Sequence, residues 1–171
     1  MTSVLFLCTG NATRSVLAGA ALRTRLPHLA IDTAGTLTVD GCPVSVRTRA
    51  AFDAVALAVP KHLSKQAHAH HLEAADLIVC LAPEHVRWVR REHPASANKT
   101  ATLKRLVRDL DSSGGVAAGT KALDLAALTL EPWEEVIDPG GMETNAYIDC
   151  AHEVVALIDE LAAHLTSPEV A

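Results

Sequence analysis

Cys8-Thr9-Gly10-Asn11-Ala12-Thr13-Arg14-Ser15 sets a cysteine, five intervening residues, an arginine and a serine directly after the apolar run Val4-Leu5-Phe6-Leu7. That order reads as a buried strand stopping at a cysteine, a loop of small residues, and then a helix. Its chemistry would be phosphate handling with a sulfur nucleophile. The attacking species is a thiolate rather than a thiol, so Cys8 needs surroundings that favour an anion. A loop curling around an anion offers backbone N–H groups along Thr9, Gly10, Asn11, Ala12 and Thr13, and the following helix adds its positive N-terminal end. Gly10 removes a side chain where backbone must come close to a ligand. Asn11 tolerates a left-handed conformation. Arg14 presents a planar fork that binds two phosphate oxygens, which lysine does less well. Ser15 can donate a hydrogen bond to the sulfur, as nucleophile and later as leaving group.

A second chemical feature lies far downstream, at Asp138-Pro139. Cleaving a phosphate ester needs a proton on the departing oxygen and then a base to activate water. One carboxylate, Asp138, could do both in turn, with Pro139 stiffening its loop. Asp-Pro-Gly-Gly is also a turn sequence in its own right. His68, His70 and His71 cluster, but their spacing fits no four-ligand structural zinc site and no cysteine stands nearby. Neither a metal nor an organic cofactor is expected.

These residues need a frame, and the chain alternates strand and helix signals. Residues 3–8 form the first expected strand, and a helix follows from Ser15 to Leu26, stopping before Pro27. A short strand covers 29–32, a helix 46–58, and a loop then runs through the histidines. A buried strand spans 76–81 and a helix 83–92, with proline in its first turn. A fourth strand covers 101–103 and a short helix reaches Leu110. The Ser/Gly-rich stretch 111–120 reads as a flexible loop. A long amphipathic helix covers 145–165, with Ile148, Val155, Ile158 and Leu161 on its apolar side. Strands alternating with helices predict an α/β three-layer sandwich: a four-stranded, twisted parallel sheet with helices on both faces. Ligands of such sheets sit at the carboxyl ends of the strands, where Cys8 falls.

Composition narrows the classes. A chain of 171 residues suits one domain spanning 1–171. Hydrophobic residues make up 49% and aromatics only 3%, so the core must be Ala, Val and Leu. No run approaches the ~18 apolar residues of a membrane span, and no basic region precedes the first apolar stretch as in a signal peptide. A net charge of −5 argues against nucleic acid as the main partner. Four irregularly spaced cysteines do not form a disulfide framework. The expectation is a reduced, cytoplasmic protein, monomeric or weakly dimeric.

The Cys8–Ser15 segment resembles the phosphate-binding loop of the low-molecular-weight protein tyrosine phosphatases, whose fold is shared with thioredoxin-coupled arsenate reductases. Further stretches resemble that family in its order: Asp32-Thr33-Ala34-Gly35-Thr36, His62-Leu63-Ser64-Lys65-Gln66, Asp76 to Leu81, and Val136-Ile137-Asp138-Pro139. The resemblance spans residues 3 to about 165. It implies Cys8 as nucleophile, Arg14 as phosphate ligand, Asp138 as general acid, and His62 with Asn11 as supports of the loop. It implies a phosphorylated protein or small phosphomonoester as substrate, and inorganic phosphate or a similar oxyanion in the loop.

Two departures bear on function. Thr13 stands where the family usually carries a second loop cysteine, and Gly140-Gly141 where it usually carries an aromatic pair that walls the pocket. Trp133, Met142 or Tyr147 could supply a wall; lone aromatics are more often packing residues. The stretch 111–135 is longer than the common pattern, and reads as a surface insertion or a flap over the pocket. Three functions follow: a phosphatase of phosphotyrosine or small aryl phosphates, an arsenate reductase using the same loop, or a non-catalytic phosphate-binding module. A reductase relay needs further cysteines. Only Cys80 lies in the expected region, with Cys42 and Cys150 elsewhere, and a pure binder has no need of a nucleophile.

Overall fold

The computed structural model describes residues 3–166; the remaining terminal residues of the 171-residue chain lie outside the described residues. Four strands, β1 (Ser3–Cys8), β2 (Ala30–Gly35), β3 (Leu77–Cys80) and β4 (Thr100–Thr102), pair in parallel in the order β2-β1-β3-β4. The expected α/β architecture is present. Alternate residues of β1 serve opposite faces, as strand geometry requires. Val4, Phe6 and Cys8 join the core that holds helices α1 (Arg14–Arg25), α2 (Val46–Ala54), α5 (Leu103–Asp109) and α7 (Thr144–Leu165). Leu5 and Leu7 join the second core, beneath α3 (Ala69–Ala74) and α4 (Pro83–Glu92). Both layers pin β1 from either side, so its last residue, Cys8, ends on a rigid base.

Several boundaries differ from expectation for local reasons. The second strand runs to Gly35, not Asp32, because Cys8 pairs with Gly35 along the ladder. The helix expected over 46–58 stops at Ala54. Ala56 takes a left-handed φ of 53°, and Leu57 N–H reaches Phe52 O at 3.0 Å while Ala56 N–H reaches Asp53 O at 3.1 Å. That pair of bonds is the helix-ending motif usually built on glycine. The expected fourth strand at 101–103 lies one residue earlier, because Thr102 caps α5 by accepting from Arg105 N–H. The histidine loop contains α3, where His71 Nδ1 accepts from His68 N–H at 3.1 Å. On α7 the buried seam is Tyr147, Cys150, Ala151, Val154, Ile158, Leu161 and Ala162, so Ile148 and Val155 stand only half-buried beside it.

The stretch 111–120, expected to be a flexible loop, contains the start of α6 (Val116–Ala122). Arg90 donates to Leu125 O and Leu128 O, and Arg105 to Thr129 O, which ties the following segment down. Helix α6 shares a cleft with Asp76, Leu77, Asn98 and Lys99, at the amino ends of β3 and β4. The segment is therefore a packed insertion at the sheet's far end and not a flap over Cys8.

One buried ion pair steadies the acid-bearing loop. Glu134 is 1% exposed and accepts hydrogen bonds from Arg105, from Thr102 Oγ1 at 2.6 Å and from Glu131 N–H at 2.8 Å. Burial alone would push the Glu134 carboxyl up; the bonds from Arg105, Thr102 and Glu131 outweigh it and hold the group below its usual range. Asp109, bonded by Arg108 and Arg105, is drawn down to about 2. Both carboxyls bind protons less readily folded than unfolded, so their contribution is full above the ordinary carboxylate range and lost as pH falls. Glu134→Ala strips the buried Arg105 of its fully buried carboxylate, leaving only Asp109 as an ionic partner, and should cost about 3 kcal/mol in urea unfolding at pH 7. The difference between wild type and variant should shrink from pH 5 towards pH 2; a difference below ~1 kcal/mol at pH 7 would show that the pair anchors nothing.

Candidate active site

The loop from Cys8 to Thr13 is held by its carbonyl groups. Cys8 O accepts from Thr36 N–H at 2.9 Å and Thr9 O from Leu37 N–H at 3.1 Å. Gly10 O accepts from Thr38 Oγ1 at 2.7 Å, Asn11 O from His62 Nε2 at 2.7 Å, and Ala12 O from Thr48 Oγ1 at 3.3 Å. Thr13 O accepts from Leu17 N–H, inside α1, at 2.9 Å. Six consecutive carbonyls thus point outward to partners on the β2–α2 connection, the His62 segment, α2 and α1. In a trans peptide the N–H points opposite to the C=O. The loop's N–H dipoles are accordingly turned to its inner side, at the N-terminus of α1, which is the arrangement that receives an oxyanion.

Asn11 fixes the curl. Its φ is 48°, the left-handed conformation expected of it. Its side chain is fully buried and makes three bonds: Nδ2 donates to Ser15 Oγ at 3.1 Å and to Thr33 Oγ1 at 3.0 Å, and Oδ1 accepts from Lys65 N–H at 3.0 Å. Ser15 Oγ, which accepts from Asn11, keeps its own proton available for Cys8 Sγ, 3.0 Å away, once the sulfur is a thiolate. Cys8 is 3% exposed. Gly35 is demanded by packing, since a Cβ there would lie 2.5 Å from Thr9 O. Gly10 is not; a Cβ there would meet no protein atom within 4 Å. Thr13, standing in the usual cysteine position, bonds Thr48 Oγ1 at 2.9 Å and so ties the loop to α2.

Arg14 is 2% exposed and held along one edge. Nη1 donates to Val136 O at 3.0 Å, and Nη2 to Asp138 Oδ2 at 2.6 Å. Val136 N–H in turn donates to Leu81 O, just beyond β3, at 2.9 Å. The other Asp138 oxygen accepts from Gly140 N–H at 2.9 Å, closing a tight turn. The Asp138 carboxylate is half-exposed, so one side faces solvent while the other meets the guanidinium.

Of the candidates for an aromatic wall, Tyr147 is buried in the α7 seam and Trp133 is covered by Arg105 and Arg108, 4.8 and 3.8 Å from its ring centre. Trp133 is still 38% exposed, and Met142, on the loop that carries Asp138, 48%. Cys8 forms no disulfide with the other cysteines; all four are free thiols. Cys42 is exposed, Cys80 belongs to the opposite face of the sheet, and burial pushes the Cys150 thiol up to about 12. Sequence reasoning missed Thr38, Thr48 and Lys65 as clamps of the loop; a lone threonine in a connection or a first helical turn, and a backbone N–H, carry no motif signal.

The sequence model of the family described as low molecular weight phosphotyrosine protein phosphatase matches residues 3–117. The chain belongs to that family. The protein-arginine-phosphatase of Geobacillus stearothermophilus is 26% identical over 167 residues, covering 97% of each chain. The low molecular weight protein-tyrosine-phosphatase Ptp of Acinetobacter johnsonii is 26% identical over 101 residues, 59% of this chain and 71% of that one. The solved YwlE arginine phosphatase from Geobacillus stearothermophilus superposes with a TM-score of 0.79 at 26% identity, covering 98% of this chain and 94% of that one. Among low molecular weight phosphatases this chain therefore has named relatives with both tyrosine and arginine specificity, and Asp138 lies beyond the stretch the family model matches.

Asn11→Ala removes all three side-chain bonds and strains the left-handed position. Inorganic phosphate affinity, measured by calorimetry, should fall by about tenfold or more. Unchanged phosphate affinity in a folded variant would show that the loop's curl does not depend on Asn11.

Proposed function

We propose that this chain hydrolyses phosphotyrosine, in proteins or small aryl phosphates, through a phosphocysteine formed on Cys8. The observation that carries the reading is the loop's outward-turned carbonyls around a buried cysteine whose sulfur faces Ser15. Phosphate oxygens would take the N–H groups of residues 9 to 15 and the fork of Arg14. That dianion competes with Asp138 for the guanidinium, so substrate binding releases Asp138 towards the leaving oxygen. Cys8 thiolate attacks phosphorus in line, the S–P bond forms, and the bond to the leaving oxygen breaks. Freed from Arg14, the half-exposed Asp138 carboxylate takes up a proton from solvent and gives it to the leaving phenolate. It then takes a proton from water, whose oxygen attacks phosphorus. Phosphate leaves, and the thiolate returns as a leaving group supported by the Ser15 hydroxyl. None of these steps calls for a metal or an organic cofactor. His62 and Asn11 act by holding the loop. We place the protein in a reducing, cytoplasmic compartment, where Cys8 stays reduced and all four cysteines are free thiols as they are here.

A second reading is phosphoarginine. Gly140-Gly141 follow the acid, Tyr147 is buried, and the relative aligned over almost the whole chain is named an arginine phosphatase. A flat aromatic wall is thus missing where a phenol ring would stack. Arsenate reduction is disfavoured, since Cys80 and Cys150 are buried and burial pushes both thiols up, away from the reactive thiolate.

Hydrolysis of para-nitrophenyl phosphate should be abolished in Cys8→Ser and fall by about 10²–10⁴ in kcat for Asp138→Asn. Substantial turnover by Cys8→Ser would sink the mechanism. Parallel kcat/KM values for a phosphotyrosine peptide and a phosphoarginine peptide decide between the two substrates.

A further inference from the structure

His85 is a buried imidazole that the mechanism above does not use. It lies in the first turn of α4 and is 1% exposed. Because β3 is the neighbour of β1, the start of α4 stands beside the phosphate loop. His85 Nε2 lies 3.0 Å from Thr9 Oγ1, and the same hydroxyl faces Glu84 Oε1 at 3.4 Å and Arg14 Nη2 at 3.5 Å. His85 Nδ1 is buried without a partner among the described residues.

The donors and acceptors can be assigned. A hydroxyl donates once and accepts twice. Arg14 can only donate and Glu84, ionised, can only accept. If His85 accepted from Thr9, its own proton would sit on Nδ1 as a buried donor without a partner, the costlier kind of orphan. With the proton on Nε2, His85 donates to Thr9, Thr9 donates to Glu84, and Nδ1 keeps only a lone pair. Burial, and then the nearby charge of Arg14, push the imidazole down to about 3, which keeps it neutral at working pH. Both acceptor sites of Thr9 are then filled, by His85 and Arg14, and its proton is spent on Glu84.

We propose that His85 is a positioning residue of the phosphate site: its Nε2–H fixes the Thr9 hydroxyl, which holds the Nη2 edge of Arg14 in the plane needed for the transferring phosphoryl group. This rests on the phosphatase reading of the loop and adds to it a support from the α4 side. When a phosphate dianion draws Arg14 from Asp138, the Thr9 contact stays, so the guanidinium keeps its orientation between its two partners.

The test compares wild type, His85→Leu, His85→Gln, Thr9→Val and the Thr9→Val/His85→Leu pair. It reads kcat and KM with para-nitrophenyl phosphate, inorganic phosphate affinity by calorimetry, and the thermal midpoint of each. His85→Leu should lose about tenfold in phosphate affinity and kcat/KM, and His85→Gln, which can still donate to Thr9, should regain most of it. In the Thr9→Val background the same His85 change should cost less than about twofold, because the partner is already gone. The proposal is overturned if Leu and Gln fall alike, or if the two losses multiply. Should His85→Leu not fold, His85→Asn, whose amide falls short of Thr9, takes its place in the cycle. A wild type without turnover sinks the phosphatase reading alone; the phosphate titrations still decide the role of His85.

Discussion

The site depends on one constraint: six consecutive peptide carbonyls, Cys8 to Thr13, must all face away from the loop's centre. A short loop does not hold that shape by itself, because every carbonyl is as ready to turn inward as outward. Here each is captured by a donor on a different neighbour, and Asn11 braces the curl from below with three side-chain bonds. The N–H groups are then set inward before any anion arrives. Preorganised donors of this kind cost no rearrangement when charge develops, which is why they contribute so much to catalysis.

The second element is the ion pair of Arg14 and Asp138, residues 124 positions apart. It is a charge-assisted bond between a buried guanidinium and a half-exposed carboxylate. In the proposed mechanism a phosphate dianion offers Arg14 more charge and a bidentate face, so substrate would exchange one partner of the arginine for a better one and release the Asp138 carboxylate. The acid loop is hung from two fixed points, Val136 between Leu81 and Arg14, and Glu134 between Arg105 and Thr102. Motion of Asp138 is thereby confined to the short turn beyond Val136.

Much of this was legible in the residues, for physical reasons that also explain the misses. The proposed nucleophile, its arginine and its serine lie within eight positions, so local spacing displays them, and the apolar run before them announces the central strand. The frame of parallel strands followed from alternating periodicities. The full length of β2 did not, since Ala34 and Gly35 are weak strand formers and the ladder with β1 decides their conformation. The end of α2 was hidden because alanine, not glycine, takes the left-handed position. The insertion after Asp111 looked mobile from its Ser-Gly content, yet Arg90 and Arg105 bind its carbonyls. Thr38, Thr48 and His85 owe their places at the site to tertiary packing alone, and no spacing rule reports that.

The most direct measurement is mass spectrometry of the Asp138→Asn protein quenched during turnover of para-nitrophenyl phosphate. Its good leaving group lets the first step proceed without the acid, while loss of the base slows release from sulfur. A phosphoryl group on the peptide that carries Cys8, absent when Cys8→Ser is added, is the predicted result. Turnover with no phosphoryl adduct on Cys8, or with the adduct on another residue, would contradict the account.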